Sequence, residues 1–311
     1  MPNATCFLIA YAIVFCLELS RWAGFAPRGK SWLTQLLIAT TAVGLFTHSL
    51  YVLDRIFLSA SAVQAWQMAF SWHDWGVLSA WALAVVYTFL LIRRSESLIG
   101  LFVLPMLLVL IGGSILLPSQ PIRQASSARL WGLSHGIAMM LGTMLVSLGF
   151  AMSLMYLVQE WRLRSKRPNT GFLRLPSLEY LQSFGSLCLL TSTAAIGFGF
   201  VSGVIMNLVQ AGTVNWTDIG ILISSSLFLW LLIASVLQWY YAKRGLGHIT
   251  AWMNILSFAI LSVAVLLLVS APHGRVGAMD ESIVAPAPAN PAPANPALAN
   301  PAPAQTVRGE R

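Results

Sequence analysis

Charged residues are scarce in this chain of 311 residues: Asp, Glu, Lys and Arg together make up 9% of it, against about 25% in a typical soluble domain. Apolar residues make up 57% and the mean hydropathy is +0.75. That excludes a water-soluble enzyme. A transmembrane barrel is excluded too, because its strands alternate apolar and polar residues over about 10 positions, whereas the apolar runs here are continuous. Cysteine is also sparse. Cys6, Cys16 and Cys188 form no CxxC pair, which argues against a thiol-disulfide oxidoreductase. Cys6 and Cys16 lie ten residues apart in one run, about 15 Å along a helix and too far for a disulfide. No CxxCH is present, so the chain is not itself a c-type cytochrome. Acidic pairs are missing from the middle of the apolar runs. Proton-coupled transporters usually place a carboxylate there, so this absence argues against one. Glu18, near the end of the first run, is expected to snorkel to the surface beside Arg21.

Eight apolar runs are present, at 4–22, 32–53, 73–92, 98–117, 132–158, 184–210, 218–241 and 248–271. Each is close to the roughly 20 residues that a helix needs to cross a bilayer core. The expected fold is therefore all-α: a polytopic membrane protein of about eight transmembrane helices, occupying 1–275. The first run has Arg21 after it and no basic residue before it, the reverse of a cleavable signal peptide, and reads as a retained helix. The net charge of +8 does not imply nucleic acid, because the basic residues fall in short loops between runs. Twelve of the eighteen Lys and Arg lie in the odd-numbered loops, five of them in Arg162, Arg164, Lys166, Arg167 and Arg174. By the positive-inside rule those loops are cytoplasmic and both termini extracytoplasmic, as in a bacterial inner or cytoplasmic membrane. The Arg-rich loop then forms a basic collar beside anionic headgroups. Residues 276–311 form a low-complexity tail whose Ala/Pro/Asn tract repeats Asn290, Asn295 and Asn300; such a tract has no core to bury and is expected to be disordered or extended.

Five histidines, His48, His73, His135, His248 and His273, stand out against this background. Imidazole is the usual haem ligand, and ionisable groups in or near spanning helices are costly enough to be functional candidates. In the expected topology His135 opens helix 5 and His273 follows helix 8, both at the outer face, where two imidazoles distant in sequence reach one depth. A solvated interfacial side chain is the ordinary alternative for any one of them. His73, in Trp72-His73-Asp74-Trp75, lies at the same face. Most of the twelve tryptophans suit an aromatic belt. Trp216, in Asn215-Trp216-Thr217-Asp218 between helices 6 and 7, is the best candidate for an apolar platform under a flat macrocycle. Gly197, Gly199, Ser202 and Gly203 of helix 6 suit close helix packing, with a cleft lined by the helix 6 hydroxyls as the alternative.

Helix 5 from Leu130, LWGLSHGIAMMLGTMLVSLGFAMSLMYLVQEWRLR, is followed by LPSLEYLQ at 175–182 and GFGFVSG at 197–203, with GLFTHSLYVLDR at 44–55 and LIGLFVLP at 98–105 upstream. In this order the segments resemble the cytochrome c assembly superfamily, the CcsA- and HemX-like membrane proteins, over about 40–275. The resemblance implies an integral membrane protein that binds or escorts haem at the outer face, with no bond-making chemistry of its own. It implies His135 and His273 as axial ligands of the haem iron, and His48 and His248 as the histidines of an intramembrane haem site. Arg129 and Arg275 would pair with the propionates and Trp216 would stack. The implied partners, besides the lipid bilayer, are another cytochrome c assembly membrane protein or a haem-biosynthesis enzyme. Two departures stand beside it. His48 falls near the outer end of helix 2 and His248 at the inner end of helix 8, so their depths should differ by about 20 Å. The long tryptophan-rich run of haem-handling members is here reduced to Asn215-Trp216-Thr217-Asp218, so the alternative of a HemX-like regulatory or scaffolding subunit that binds no haem fits about as well.

Overall fold

The computed structural model describes residues 4–23, 31–55, 70–93, 97–117, 119, 128–165, 175–242 and 247–270. Every apolar run forms a helix: α1 (Ala4–Ala23), α2 (Ser31–Leu53), α3 (Trp72–Arg93), α4 (Gly100–Leu116), α5 (Arg129–Arg164), α6 (Leu178–Ala211), α7 (Ile219–Ala242) and α8 (Gly247–Ser270). No strand occurs among the described residues. Seven of these helices are long and apolar enough to cross a membrane. Helix α4, with 17 residues, measures about 26 Å. It nevertheless links the same two levels as its neighbours, since Gly100 at its start abuts Glu18 and Tyr87, and Ser114 near its end abuts Gly76 and His73. Its Pro105 deletes one intrahelical bond, a loss that packed spanning helices tolerate. Helices α5 and α6 overrun their apolar runs, with 36 and 34 residues. At about 54 and 51 Å they are longer than a bilayer core, because helix continues through polar flanks such as Gln159 to Arg164, where Glu160 and Arg164 pair at 2.7 Å.

The helices group into two four-helix bundles. In one, α1 packs on α2 and α4, α2 on α3, and α3 on α4; in the other, α5 to α8 pack as a closed set, and α5 joins the two through α3 and α4. Lipid supplies no hydrophobic drive for helices to associate, so close steric fit has to do it. Small residues provide the fit between α5 and α6. A side chain on Gly142 would collide with Ile196, and one on Gly199 with Met139. Large apolar side chains turned outward, among them Phe46, Phe89, Leu190, Phe198, Leu229 and Leu266, present a surface suited to lipid.

The helix ends follow ordinary capping chemistry. Ser71 and Asp74 form a reciprocal box: Asp74 N–H donates to Ser71 Oγ at 3.1 Å and Ser71 N–H to the Asp74 carboxylate at 2.9 Å. Trp72-His73-Asp74-Trp75 is thereby the first turn of α3. Gly212, at φ 70°, ends α6 in the left-handed region that glycine adopts without steric cost. Asn215 then accepts from Thr217, and Asp218 caps α7 by accepting from the Gly220 N–H at 2.8 Å.

Candidate functional site

His135 stands in the second turn of α5, its ring half-buried against α6. Nδ1 lies 2.7 Å from the Gly199 carbonyl oxygen. A carbonyl can only accept, so Nδ1 carries a proton, and in the neutral ring Nε2 is the nitrogen with the lone pair. Gly203 makes room for the ring: a Cβ there would stand 2.8 Å from Nδ1. On the other side of the same turn Trp75 of α3 lies directly over Gly136. A carbonyl-anchored imidazole with its other nitrogen unprotonated is the arrangement that second-shell bonds give to metal-ligating histidines. Arg129, the first residue of α5, stands six residues ahead, about 9 Å along the axis. His273 and Arg275 lie outside the described residues. Among the described residues no group of three or more His, Cys, Asp and Glu gathers around one point.

The other histidines have different surroundings. His73 bridges helices, its Nε2 3.0 Å from the Tyr51 hydroxyl and its Nδ1 2.8 Å from the Ser114 carbonyl. Both ring nitrogens are occupied, Nδ1–H donating and Nε2 accepting, so the ring ties α2, α3 and α4 together. Asp74 beside it accepts from Arg55 Nε at 2.8 Å and from Ser71 Oγ at 2.6 Å. His48 is fully buried and stacks on Phe7 at a centroid distance of 4.0 Å, with Tyr11 edge-on at 6.0 Å. Neither of its nitrogens makes a well-formed hydrogen bond; the backbone polar group it faces belongs to Val77 of α3. His248 follows Gly247 at the start of α8, where Gly247 fits under Tyr156 and Gln182. Tyr156 is twenty residues beyond Gly136 on α5, about 30 Å along the helix. Because Gly136 is level with Trp75, near His48's neighbour Val77, the two histidines stand at opposite ends of the helices.

Trp216 is 63% exposed in the α6–α7 turn, with its flanks Asn215 and Asp218 spent on closing that turn. The helix 6 hydroxyls do not line a cleft. Ser202 is buried and bonds back to the Gly199 carbonyl, and Thr193 bonds to Ser235 Oγ of α7 at 2.7 Å; the small residues bring helices together. Cys6 and Cys16 are exposed and Cys188 buried, all three free.

Glu18 corrects an expectation. Its side chain has no exposure at all, and it accepts from Arg21 Nη1 at 3.3 Å. It turns inward because Phe7, Tyr11, Val14 and Glu18 recur at helical spacing on the one face of α1 that packs into the first bundle, all four fully buried. That spacing was present in the sequence. What hid it is that α1 is apolar all round, so no polar face marks which side points inward.

Comparison of the chain with protein-family models, with curated proteins and with solved structures found no match.

Proposed function

We propose that this integral membrane protein binds or escorts haem at one membrane face, in the manner of the cytochrome c assembly proteins its segments resemble. The observation that supports the reading is the anchoring of His135: Nδ1–H is committed to Gly199, which leaves Nε2 as the ring nitrogen free to ligate in the neutral imidazole, at the end of the bundle where α3, α5 and α6 meet. The residues present fit an axial ligand, since a fixed tautomer and a glycine-lined seat are what an imidazole ligand needs. His135 and His273 would hold the iron, Arg129 and Arg275 would face the propionates, and Trp216 would offer a flanking aromatic surface. A bound haem would supply redox-active iron; the protein's own residues bind, orient and shield it and make no covalent bond. The basic odd-numbered loops favour placing the His135 end outside a bacterial cytoplasmic membrane, with both termini there.

His48 and His248 do not suit one iron, because they stand at opposite ends of the helices. A second reading, a HemX-like regulatory or scaffolding subunit that binds no haem, is favoured by the spent flanks of Trp216; its partner would be a cytochrome c assembly membrane protein or a haem-biosynthesis enzyme. The visible spectrum separates the two. Protein purified in mild detergent from haem-replete cells is expected to show a six-coordinate Soret band that is lost in His135→Ala and in His273→Ala and weakened in Trp216→Ala. Wild-type protein without a Soret band, even after haem is added back, would leave only the regulatory reading.

A further inference from the structure

We propose that the first four-helix bundle carries a proton path between its two ends, with the Glu18 carboxylate as the site where the proton rests. The proposal does not depend on haem. Among the described residues, five of the eight buried side-chain polar atoms that lack a hydrogen bond belong to four titratable residues of α1 to α3: Tyr11 Oη, Glu18 Oε1, both nitrogens of His48, and Tyr87 Oη. Each of these side chains is fully buried. A buried polar group without a partner costs about 1–3 kcal/mol, and ionisable side chains inside spanning bundles mark ion or proton pathways. Four buried ionisable residues with at best long hydrogen bonds in one small bundle therefore mark the place where such a pathway would run.

Their placement forms a column. Tyr11 and Glu18 lie seven residues apart on the inward face of α1, about 10 Å in depth. On α2, Thr41, Gly44, His48 and Tyr51 occupy the facing stripe, where Tyr11 rests against Gly44 and stands edge-on to His48. At one end Glu18 meets Tyr87 over Gly100. Oε1 and the Tyr87 hydroxyl each lie 2.8 Å from where a Gly100 Cβ would stand, so the two oxygens are at most twice that distance apart. Tyr87 faces both Glu18 and Thr41 at long hydrogen-bonding range. At the other end Phe7 stacks on His48 and touches Tyr51 edge-on, and Tyr51 bonds to His73 beside the Asp74–Arg55 pair.

The charged and titratable groups facing Glu18 are Arg21 on its own helix and Tyr87 from α3; α4 contributes only the Gly100 backbone. Those around His48 are Tyr11 of α1 and Tyr51 of its own helix, with His73 of α3 behind Tyr51. Each hop conserves protons. Imidazole takes one at one ring nitrogen and releases one from the other, and a tyrosine hydroxyl accepts on oxygen while giving up its own hydrogen. The Glu18 carboxylate binds the proton and passes it on; the hops wider than a direct bond, from Tyr11 to Glu18 and from His48 past Phe7 to Tyr51, require a bridging water. No bond to carbon changes and no redox partner is required; an imposed proton gradient drives the transfer.

The full chain, reconstituted in phosphatidylcholine/phosphatidylglycerol vesicles with a trapped pH-sensitive dye and a potassium-valinomycin diffusion potential, tests this. Wild-type vesicles should change internal pH faster than protein-free ones. Glu18→Gln should slow the change about a hundredfold, the low end of what one positioned proton-transfer group supplies. Tyr11→Phe and Tyr87→Phe should slow it in part, and Thr40→Ala, an exposed hydroxyl bonded back to Leu36, should leave it unchanged. Gly100→Ala keeps every titratable group but wedges a methyl between Glu18 and Tyr87; it should slow transfer while circular dichroism shows full helix content, which guards against a Glu18→Gln chain that fails to fold. Infrared difference spectra on acidification should show a carboxylic acid carbonyl band that is missing in Glu18→Gln. Wild-type rates equal to protein-free vesicles, or a Glu18→Gln protein as fast as wild type, would overturn the proposal.

Discussion

The two four-helix bundles bury polarity in opposite ways. In α5 to α8 most buried polar side chains are neutral and bond to one another or to backbone: Thr193 to Ser235, Trp230 Nε1 to Ser257 at 3.0 Å, and Asn254 Nδ2 to the Thr250 and Gly185 carbonyls. The atoms left over there, on Gln159, Gln238 and Thr250, are uncharged amides and a hydroxyl. In α1 to α3 the atoms left over belong to residues that gain or lose protons. The same contrast runs through the glycines. In α5 and α6, Gly142 and Gly197 bring apolar surfaces together and Gly149, Gly185 and Gly203 face the neutral amide of Asn254 or the ring of His135, whereas Gly100 brings a carboxylate and a phenol together. Thus α5 to α8, on which His135 is anchored, buries neutral polar groups, whereas α1 to α3 also buries the titratable Tyr11, Glu18, His48 and Tyr87.

Overfilling the α5–α6 contact should do the most damage. Gly142→Leu pushes its side chain into Ile196 and is expected to lower stability by about 3 kcal/mol, the upper end of ordinary overpacking. Thermal unfolding in detergent would measure it; an unchanged midpoint would mean that α5 and α6 do not meet at this contact.

A finer comparison sets two hydroxyl deletions against each other, one from each half. Thr193→Val removes a satisfied bond, and a double-mutant cycle with Ser235→Ala should give a coupling of about 0.6 kcal/mol, typical of hydrogen bonds between membrane helices. Tyr11→Phe removes an unsatisfied hydroxyl, so stability should hold or rise, even as proton transfer slows. If both substitutions destabilise equally, the distinction between the halves disappears. The smallest effect belongs to the tail. Deleting 284–311, an Ala/Pro/Asn tract, is expected to leave membrane insertion and the thermal midpoint unchanged, which a protease-protection assay and a melt would check.

Much of the fold was legible beforehand. Eight apolar runs became eight helices, and the turn residues around Gly212, Asn215 and Asp218 closed the α6–α7 connection as their chemistry suggests. The candidate site was legible only in part. His135 stood out as a histidine in an apolar run, but its use of Nδ1 depends on Gly199, 64 residues away. His73 shares the outer face with His135 in the sequence, but Tyr51 and Ser114 hold both its nitrogens. Glu18 was read as a surface residue because Arg21 follows it by three positions, a spacing that suits an exposed pair as well as a buried one.

The sequence by itself determined that the chain is a bundle of membrane-length helices, because backbone polar groups in hydrocarbon have to be satisfied within each segment and about 20 apolar residues span the core. It also determined the uneven spread of Lys and Arg between alternate loops. Only the tertiary structure decided which side of each helix faces its neighbours. The physical reason is that in lipid the inner and outer faces of a helix are equally apolar, so hydropathy carries no record of direction. Close steric contacts, such as Gly100 against Glu18 and Tyr87 or Gly203 against His135, set the direction instead.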